Sequence, residues 1–469
     1  MLYPPFIYLF PVNQKIVRMN QILPNPLKWL KYYKTCLLLF LLVFMLNRAK
    51  TQDLYDLSRC IKTGLEQNFS LQVERNRESI EANNFTLGNA GMLPKITNTN
   101  RLGGSLNNVQ QNYSDGTDAS ASGIHNTSGS ASIDLGMTIF RGFQVKNTYK
   151  KLGQQSEMGE LKTQMAVENL VAQIVSEYHY YVQQLILYNN MAYAVSLSRE
   201  RVRIDEQRYL LGGASKMQLL QSMVYLNADS SRFARQKEVL HTSQIKLNEL
   251  MASEDLGRAL IIKDTVIPIN DNLLYEQLLS QTLENNTELQ IAAKNQQISA
   301  YDYKIIASRA YPYLNLNSSY GYNFNNYAAG DLSSQQIAGL NYGVTFGIDV
   351  FDGFNRKRER SNARIELENK QIQFNEIEQA VKADLLTLYY AYENNLRLLR
   401  LEEQNLEVAR ENLEIALEQY KLGSLAGLEL REVQKSLLDA EERLISVKFM
   451  TKLAEISLHQ ISGRILEYL

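Results

Sequence analysis

The chain has 469 residues, 45% of them hydrophobic and 21% charged, and its 49 Lys and Arg against 50 Asp and Glu leave a net charge of −1. A balance this even carries no electrostatic footprint for nucleic acid, which is excluded as a partner on that ground. Pro is absent from 95 to 267 and again from 313 to the end, so the length predicts very long uninterrupted elements in place of roughly three average domains.

In chain order, the N-terminus reads as a targeting signal. Lys28, Lys31 and Lys34 precede the apolar run Cys36 to Leu46, and small residues follow at Ala49 and Thr51. This is the order of a secretory signal peptide, and the run is short of the ~20 residues that a spanning helix needs. Residues 1–51 are expected to be removed on export, with Met19 as an alternative start and an uncleaved anchor as the other reading. Cys60 is then the lone thiol of the mature chain, so no internal disulfide framework is possible.

The rest of the chain is written twice. "FRGF" at Phe140 to Phe143 returns as "FDGF" at Phe351 to Phe354, and "YLLG" at Tyr209 to Gly212 returns as "YKLG" at Tyr420 to Gly423, both displaced by 211 residues. Upstream, Asn68 to Val73 matches Asn286 to Ile291, and Pro94 matches Pro312 at a displacement of 218, so the first copy is seven residues longer between its Pro and its Phe-x-Gly-Phe. The excess is assigned to a variable loop in the Ser, Gly and Asn-rich stretch 110–130.

The first repeat is expected over 52–262, with strands at about 95–109 and 128–140 and long helices at about 143–211 and 214–251. A linker at 263–272 leads to the second repeat, 273–469, with strands at about 313–326 and 339–351 and helices at about 354–422 and 426–463. The strands alternate. Leu314, Leu316, Tyr320, Tyr322 and Phe324 share one face of 313–326 while Asn315, Asn317, Ser319 and Gly321 share the other, without a single charge. The helices carry a seven-residue seam, Leu385, Tyr392, Leu399, Leu406, Leu413 and Tyr420, matched in the first copy by Ile174, Tyr181, Tyr188, Val195, Val202 and Tyr209. Sustained heptads predict coiled-coil packing, and an uninterrupted helix from 354 to 422 would run roughly 100 Å.

Strands of this length and alternation suit a bilayer, but a sheet in lipid must close and barrels begin at about eight strands, so four strands must be completed by copies of the chain. The fold class expected is an α+β membrane protein. Four strands per protomer would complete a shared transmembrane β-barrel, and tandem-duplicated coiled-coil helices would prolong it as a tube.

In the order and doubling of these motifs the mature chain resembles the TolC-like outer-membrane efflux proteins. The resemblance implies a homotrimer with a twelve-stranded barrel in outer-membrane lipid and a long periplasmic extension in which the helices form a periplasmic tunnel. It implies the exit duct of a tripartite efflux or type I secretion system, joined through a periplasmic adaptor protein to an inner-membrane transporter and catalysing nothing. It places the adaptor contact and the closed end of the tunnel at the tips holding Tyr209, Gly212, Tyr420 and Gly423, and the strand-to-helix junctions at Phe140, Gly142, Phe143, Phe351, Gly353 and Phe354. Acidic rings that attract cations in relatives fall on Glu429 and Glu432, whose first-copy counterparts Gln218 and Gln221 are neutral. Leu425 stands where relatives place a latching Arg.

Each of these residues also has a plainer reading. Glu429 and Glu432 read equally as a solvated helix face, Tyr209 and Tyr420 as seam packing, Gly212 and Gly423 as helix-ending glycines, and Gly142 and Gly353 as turn formers. "RKRER" at Arg356 to Arg360 opens a helix just inside the barrel, near lipid headgroups or in water. His125, His179, His241 and His459 are scattered without metal-ligand spacing, and no phosphate loop or nucleophile elbow is present, so neither enzyme activity nor a cofactor is expected. The competing reading is an exported coiled-coil fibre or adhesin without a pore, which leaves the alternating strands without purpose.

Overall fold

A computed structural model describes residues 54–468 apart from Lys263, Thr265 and Asp331. The expected signal peptide and part of the expected linker lie outside the described residues. The elements are β1 (Leu54–Tyr55), α1 (Leu57–Gln67), α2 (Phe69–Asn84), β2 (Lys95–Asn112), β3 (Asp118–Arg141), α3 (Gln144–Leu210) and α4 (Lys216–Leu250). They continue with β4 (Ile261–Ile262), α5 (Tyr275–Asn285), α6 (Thr287–Ala307), β5 (Tyr313–Asn326), β6 (Ser334–Gly347), α7 (Asn355–Leu422) and α8 (Gly427–Ile461), closed by a 3-10 turn at Ile465–Tyr468.

The match between Asn68 and Asn286 has a physical cause. Each caps the helix that follows, accepting from the amides of Leu71 at 3.1 Å and Leu289 at 3.0 Å. Each also donates from its side-chain amide to the last turn of a distant helix, Leu250 O at 3.1 Å and Ile461 O at 2.9 Å. One residue thus starts a helix and ties it to the end of another, in both copies.

β2, β3, β5 and β6 form one antiparallel sheet in that order, with β2 and β6 at its edges. Between the register shifts at Asn107/Val109 and Thr138/Phe140, side-chain alternation stays in phase across the four strands. Thr97, Asp134, Ser319 and Asn341 fall in one polar row, and Ile96, Leu135, Ser318 and Tyr342 in the next, on the opposite face. Fourteen residues of β5 extend about 48 Å at 3.4 Å per residue, or about 34 Å of height at a 45° tilt, which matches a hydrocarbon core of about 30 Å.

Two expectations for the strands are corrected. The stretch 110–130 is not a loop, because β2 runs to Asn112 and β3 begins at Asp118, leaving a turn of only 113–117. Its Ser, Ala, Gly and Asn residues favour turns by themselves, but hairpin pairing continues as far as Asn112 opposite Asp118 and overrides that preference. β6 spans Ser334–Gly347 in place of 339–351: Gly347 faces Tyr313, the first residue of β5, so the ladder has no partner beyond it. The alternating residues Ile348 and Val350 therefore lie past the end of the strand.

α3 and α7, of 67 and 68 residues, are the two long rods, each roughly 100 Å. α4 and α8, 35 residues each, return along only the half nearest the tips. The other half is accompanied by α2 and α6, with α6 packed between α3 and α7. The apolar interior is divided along this length. Cys60, Ile174, Tyr178, Leu247 and Ile456 belong to one cluster, Leu278, Leu385, Tyr392 and Leu458 to a second, and Leu406, Leu413, Tyr420 and Leu437 to a third toward the tips.

Candidate functional site

The tips are two helix hairpins, α3 to α4 and α7 to α8, and each ends its first helix in the same way. Gly212 and Gly423 take left-handed backbone, φ 78° and 83°, and the following amides, Gly213 and Ser424, donate back to Arg208 O at 2.7 Å and Gln419 O at 3.0 Å. These are Schellman endings, in which glycine avoids the steric cost of a Cβ. The second helices start alike as well. Ser215 and Gln218 cap each other's amides at 3.2 and 2.9 Å, and Glu429, at the position equivalent to Gln218, accepts from the amide of Ala426 at 3.3 Å. Glu429 is thus occupied in capping α8, whereas exposed Glu432 has no such bond among the described residues.

Between the hairpins lies a cavity of about 870 Å³ walled by both tips, Arg208, Gln218 and Tyr225 on one side and Tyr420, Gly423 and Leu425 on the other. Below it a polar lock joins three helices. Arg431 of α8 makes a bidentate pair with Asp229 of α4, at 2.7 and 2.8 Å, and Ser198 of α3 donates to the same carboxylate. Burial pushes the pKa of Asp229 up, but the bonds from Arg431 and Ser198 outweigh it and hold the carboxyl below its usual range. The Tyr225 ring is flanked by the guanidinium groups of Arg201 at 4.7 Å and Arg431 at 5.1 Å.

The α7 side is tied by Tyr420, whose hydroxyl donates to Asp205 and whose ring and carbonyl both engage Arg208, the ring at 4.7 Å. Burial, reinforced by the bond to Asp205, raises the Tyr420 phenol and keeps it protonated. Leu425, where a latching Arg was sought, offers no charge, but Arg208 of the other tip supplies one to the same junction.

The two tip tyrosines are not equivalent. Tyr420 is 3% exposed and packs in the seam, whereas Tyr209 is 40% exposed and does not. The expected first-copy seam at Val195, Val202 and Tyr209 is corrected to Ala194, Ser198, Arg201 and Asp205, which are the buried positions. α3 turns a polar stripe inward here because its neighbours supply partners, Asp229, Tyr225 and Tyr420. A search for apolar heptads passes over such a stripe, although Ser198, Arg201, Asp205 and Arg208 keep three- and four-residue spacing and mark one helix face.

At the far end of the rods the strand-to-helix junctions repeat in detail. Gly142 and Phe143 are both left-handed, φ 56° and 67°, as are Gly353 and Phe354, φ 68° and 66°. Phe140 meets Phe143 edge to face at 5.3 Å, and Phe351 meets Phe354 at 5.4 Å. Two successive left-handed residues turn the chain sharply from sheet to rod, and the Phe pair offsets the strain of a non-glycine residue in that region.

A stalk of duplicated helical hairpins continuous with a four-stranded antiparallel sheet defines the class: the fold of the outer-membrane efflux channels. Residues 278–464, nearly the whole second repeat, match the family model of the outer membrane efflux proteins. Among solved structures the chain is similar to CusC, with a TM-score of 0.71 and 15% identity over 87% of this chain and 92% of that one. It is similar to a membrane protein from Pseudomonas aeruginosa, with a TM-score of 0.71 and 16% identity over 87% and 93%. It is also similar to the outer membrane protein VceC of Vibrio cholerae, with a TM-score of 0.70 and 15% identity over 87% and 96%.

Proposed function

We propose that the chain is one protomer of a homotrimeric outer-membrane exit duct, passing substrates from a periplasmic adaptor and inner-membrane transporter to the exterior. The observation that carries this reading is the sheet: four strands in phase between two register shifts, an apolar face, and open edges at β2 and β6. Edges of this kind close in lipid only against another sheet, and three copies would make twelve strands. The stalk has a matching need. Leu401, Val408, Ile415 and Leu422 of α7 repeat every seven residues and are all exposed in the single chain, a second seam that a neighbouring protomer would cover. No catalytic step belongs to this account.

The polar lock and the Tyr420 to Asp205 bond hold the two tip hairpins together, and the adaptor would act on the cavity between them. Three copies of Glu432, with Glu429 beside it, would ring the entrance and favour cations. The test is conductance of the purified protein in planar bilayers. Discrete, cation-preferring steps blocked by a divalent cation are expected, and the E429Q/E432Q double variant should lose most of the block. Absence of steps refutes the duct, whereas steps with unchanged block in the variant refute only the ring.

A further inference from the structure

Both long rods begin with charge of the unfavourable sign. α3 carries Lys146, Lys150 and Lys151 with no acid before Glu157, and α7 carries Arg356, Lys357, Arg358, Arg360 and Arg364 against the single Glu359. Neither first turn contains an acid. A helix N-terminus is the positive end of its dipole and disfavours cations, so the rule is broken outright in α3, while in α7 the one acid there, Asp352, which accepts from the Arg356 amide at 2.9 Å, is outnumbered by the cations. Such a violation points to a compensating partner.

Part of the charge is matched within the chain. Lys151 pairs with Asp302 at 2.7 Å, Arg356 with Asp352 at 3.0 Å, and Arg360 donates to the Tyr303 hydroxyl at 3.2 Å. Lys146, Lys150, Lys357 and Arg358 are exposed and have neither an ion pair nor a side-chain hydrogen bond among the described residues. Phe143, Phe351 and Phe354 stand exposed beside them, at the end of the apolar sheet. Four residues of helix separate Phe354 from Arg358, about 6 Å along the axis. The headgroup layer adds about 5 to 7 Å to each side of the hydrocarbon core, and long basic side chains reach back toward it.

We propose that Lys146, Lys150, Lys357 and Arg358, with the flanking Phe side chains, form a belt that binds anionic phospholipid headgroups of the periplasmic leaflet. The aromatic rings mark the edge of the hydrocarbon, and the cations meet the phosphates immediately beyond it. The headgroup charge removes the mismatch with the helix dipoles and fixes the depth of the sheet in the bilayer. This inference rests on the sheet being the membrane element of the duct.

The test is reconstitution of the full chain into nanodiscs of phosphatidylcholine with one fifth phosphatidylglycerol, followed by quantification of the lipid retained after partial detergent stripping. Phosphatidylglycerol should be retained several-fold above its input ratio, K146Q/K150Q/K357Q/R358Q should return it to input, and K146R/K150R/K357R should preserve it. Insertion without enrichment, or enrichment unchanged in the Gln variant, overturns the belt and leaves the duct standing. A Gln variant that shifts ion selectivity in bilayers while keeping its enrichment places these cations in the lumen and overturns it too. Failure to insert into any lipid refutes the duct reading and the belt together.

Discussion

Removing one partner of the Asp229 and Arg431 pair strands a charge among side chains that exclude water. Asp229 is 2% exposed and Arg431 7%, so the cost is that of an uncompensated buried ion. Asp229→Ala should lower stability by about 3 to 5 kcal/mol, whereas Asp229→Leu with Arg431→Met should recover much of the loss. Denaturant unfolding in detergent, followed by far-UV circular dichroism, reads both. His179 gives a second expectation. Its ring is buried against Tyr178 at 5.6 Å, neither nitrogen finds a hydrogen-bond partner among the described residues, and it lies in the fields of Lys452 and Asp264. Burial, with Lys452 adding to it and Asp264 opposing, lowers its pKa from 6.5 to about 4. The neutral ring is the one that folds, so its stabilisation is complete above pH 6.5 and is lost progressively as pH falls toward 4. The loss amounts to about 3 kcal/mol by linkage. A midpoint of thermal unfolding measured from pH 7 to 4 should fall, and His179→Leu should flatten that slope.

At the scale of elements, the two junctions look interchangeable in sequence and differ in space. A Cβ at Gly142 would overlap Ser308 O, while at Gly353 the nearest atom is 3.8 Å away. Gly353→Ala therefore carries only the cost of left-handed backbone, about 1 to 2 kcal/mol, and Gly142→Ala should cost clearly more. The yield of folded protein after extraction ranks them. This difference was not legible in the Phe-x-Gly-Phe motif, because what crowds Gly142 is the turn that ends α6, more than 160 residues away in the chain. The α7 seam was legible, since Leu385, Tyr392, Leu399, Leu406, Leu413 and Tyr420 recur every seven residues and all but half-buried Leu399 are buried. On α3 the same period led to Tyr209, because the core there is built from Arg201 and Asp205, which only their partners make acceptable inside. The first half of β3 was hidden for a related reason: small polar residues carry no strand signal until a hairpin pairs them.

At the scale of the whole molecule, duplication builds two rods of nearly equal length, two tips and two junctions, and it leaves two kinds of unfinished surface. The sheet has open edges, and α7 has an uncovered heptad seam. In the proposed duct both would be completed by the same operation, the addition of identical neighbours around an axis along the rods. The polar lock lies at the opposite end of the rods from the sheet, so in the proposed duct holding the tips shut and spanning the membrane would be separate tasks of one tube. The most direct measurement of that claim is electron microscopy of the protein extracted from outer membranes in detergent, averaged without imposed symmetry. The account predicts a hollow three-fold cylinder with a barrel at one end and a helical stalk roughly 100 Å long. A solid rod, or a particle with no barrel end, would contradict it and leave the fibre reading in its place.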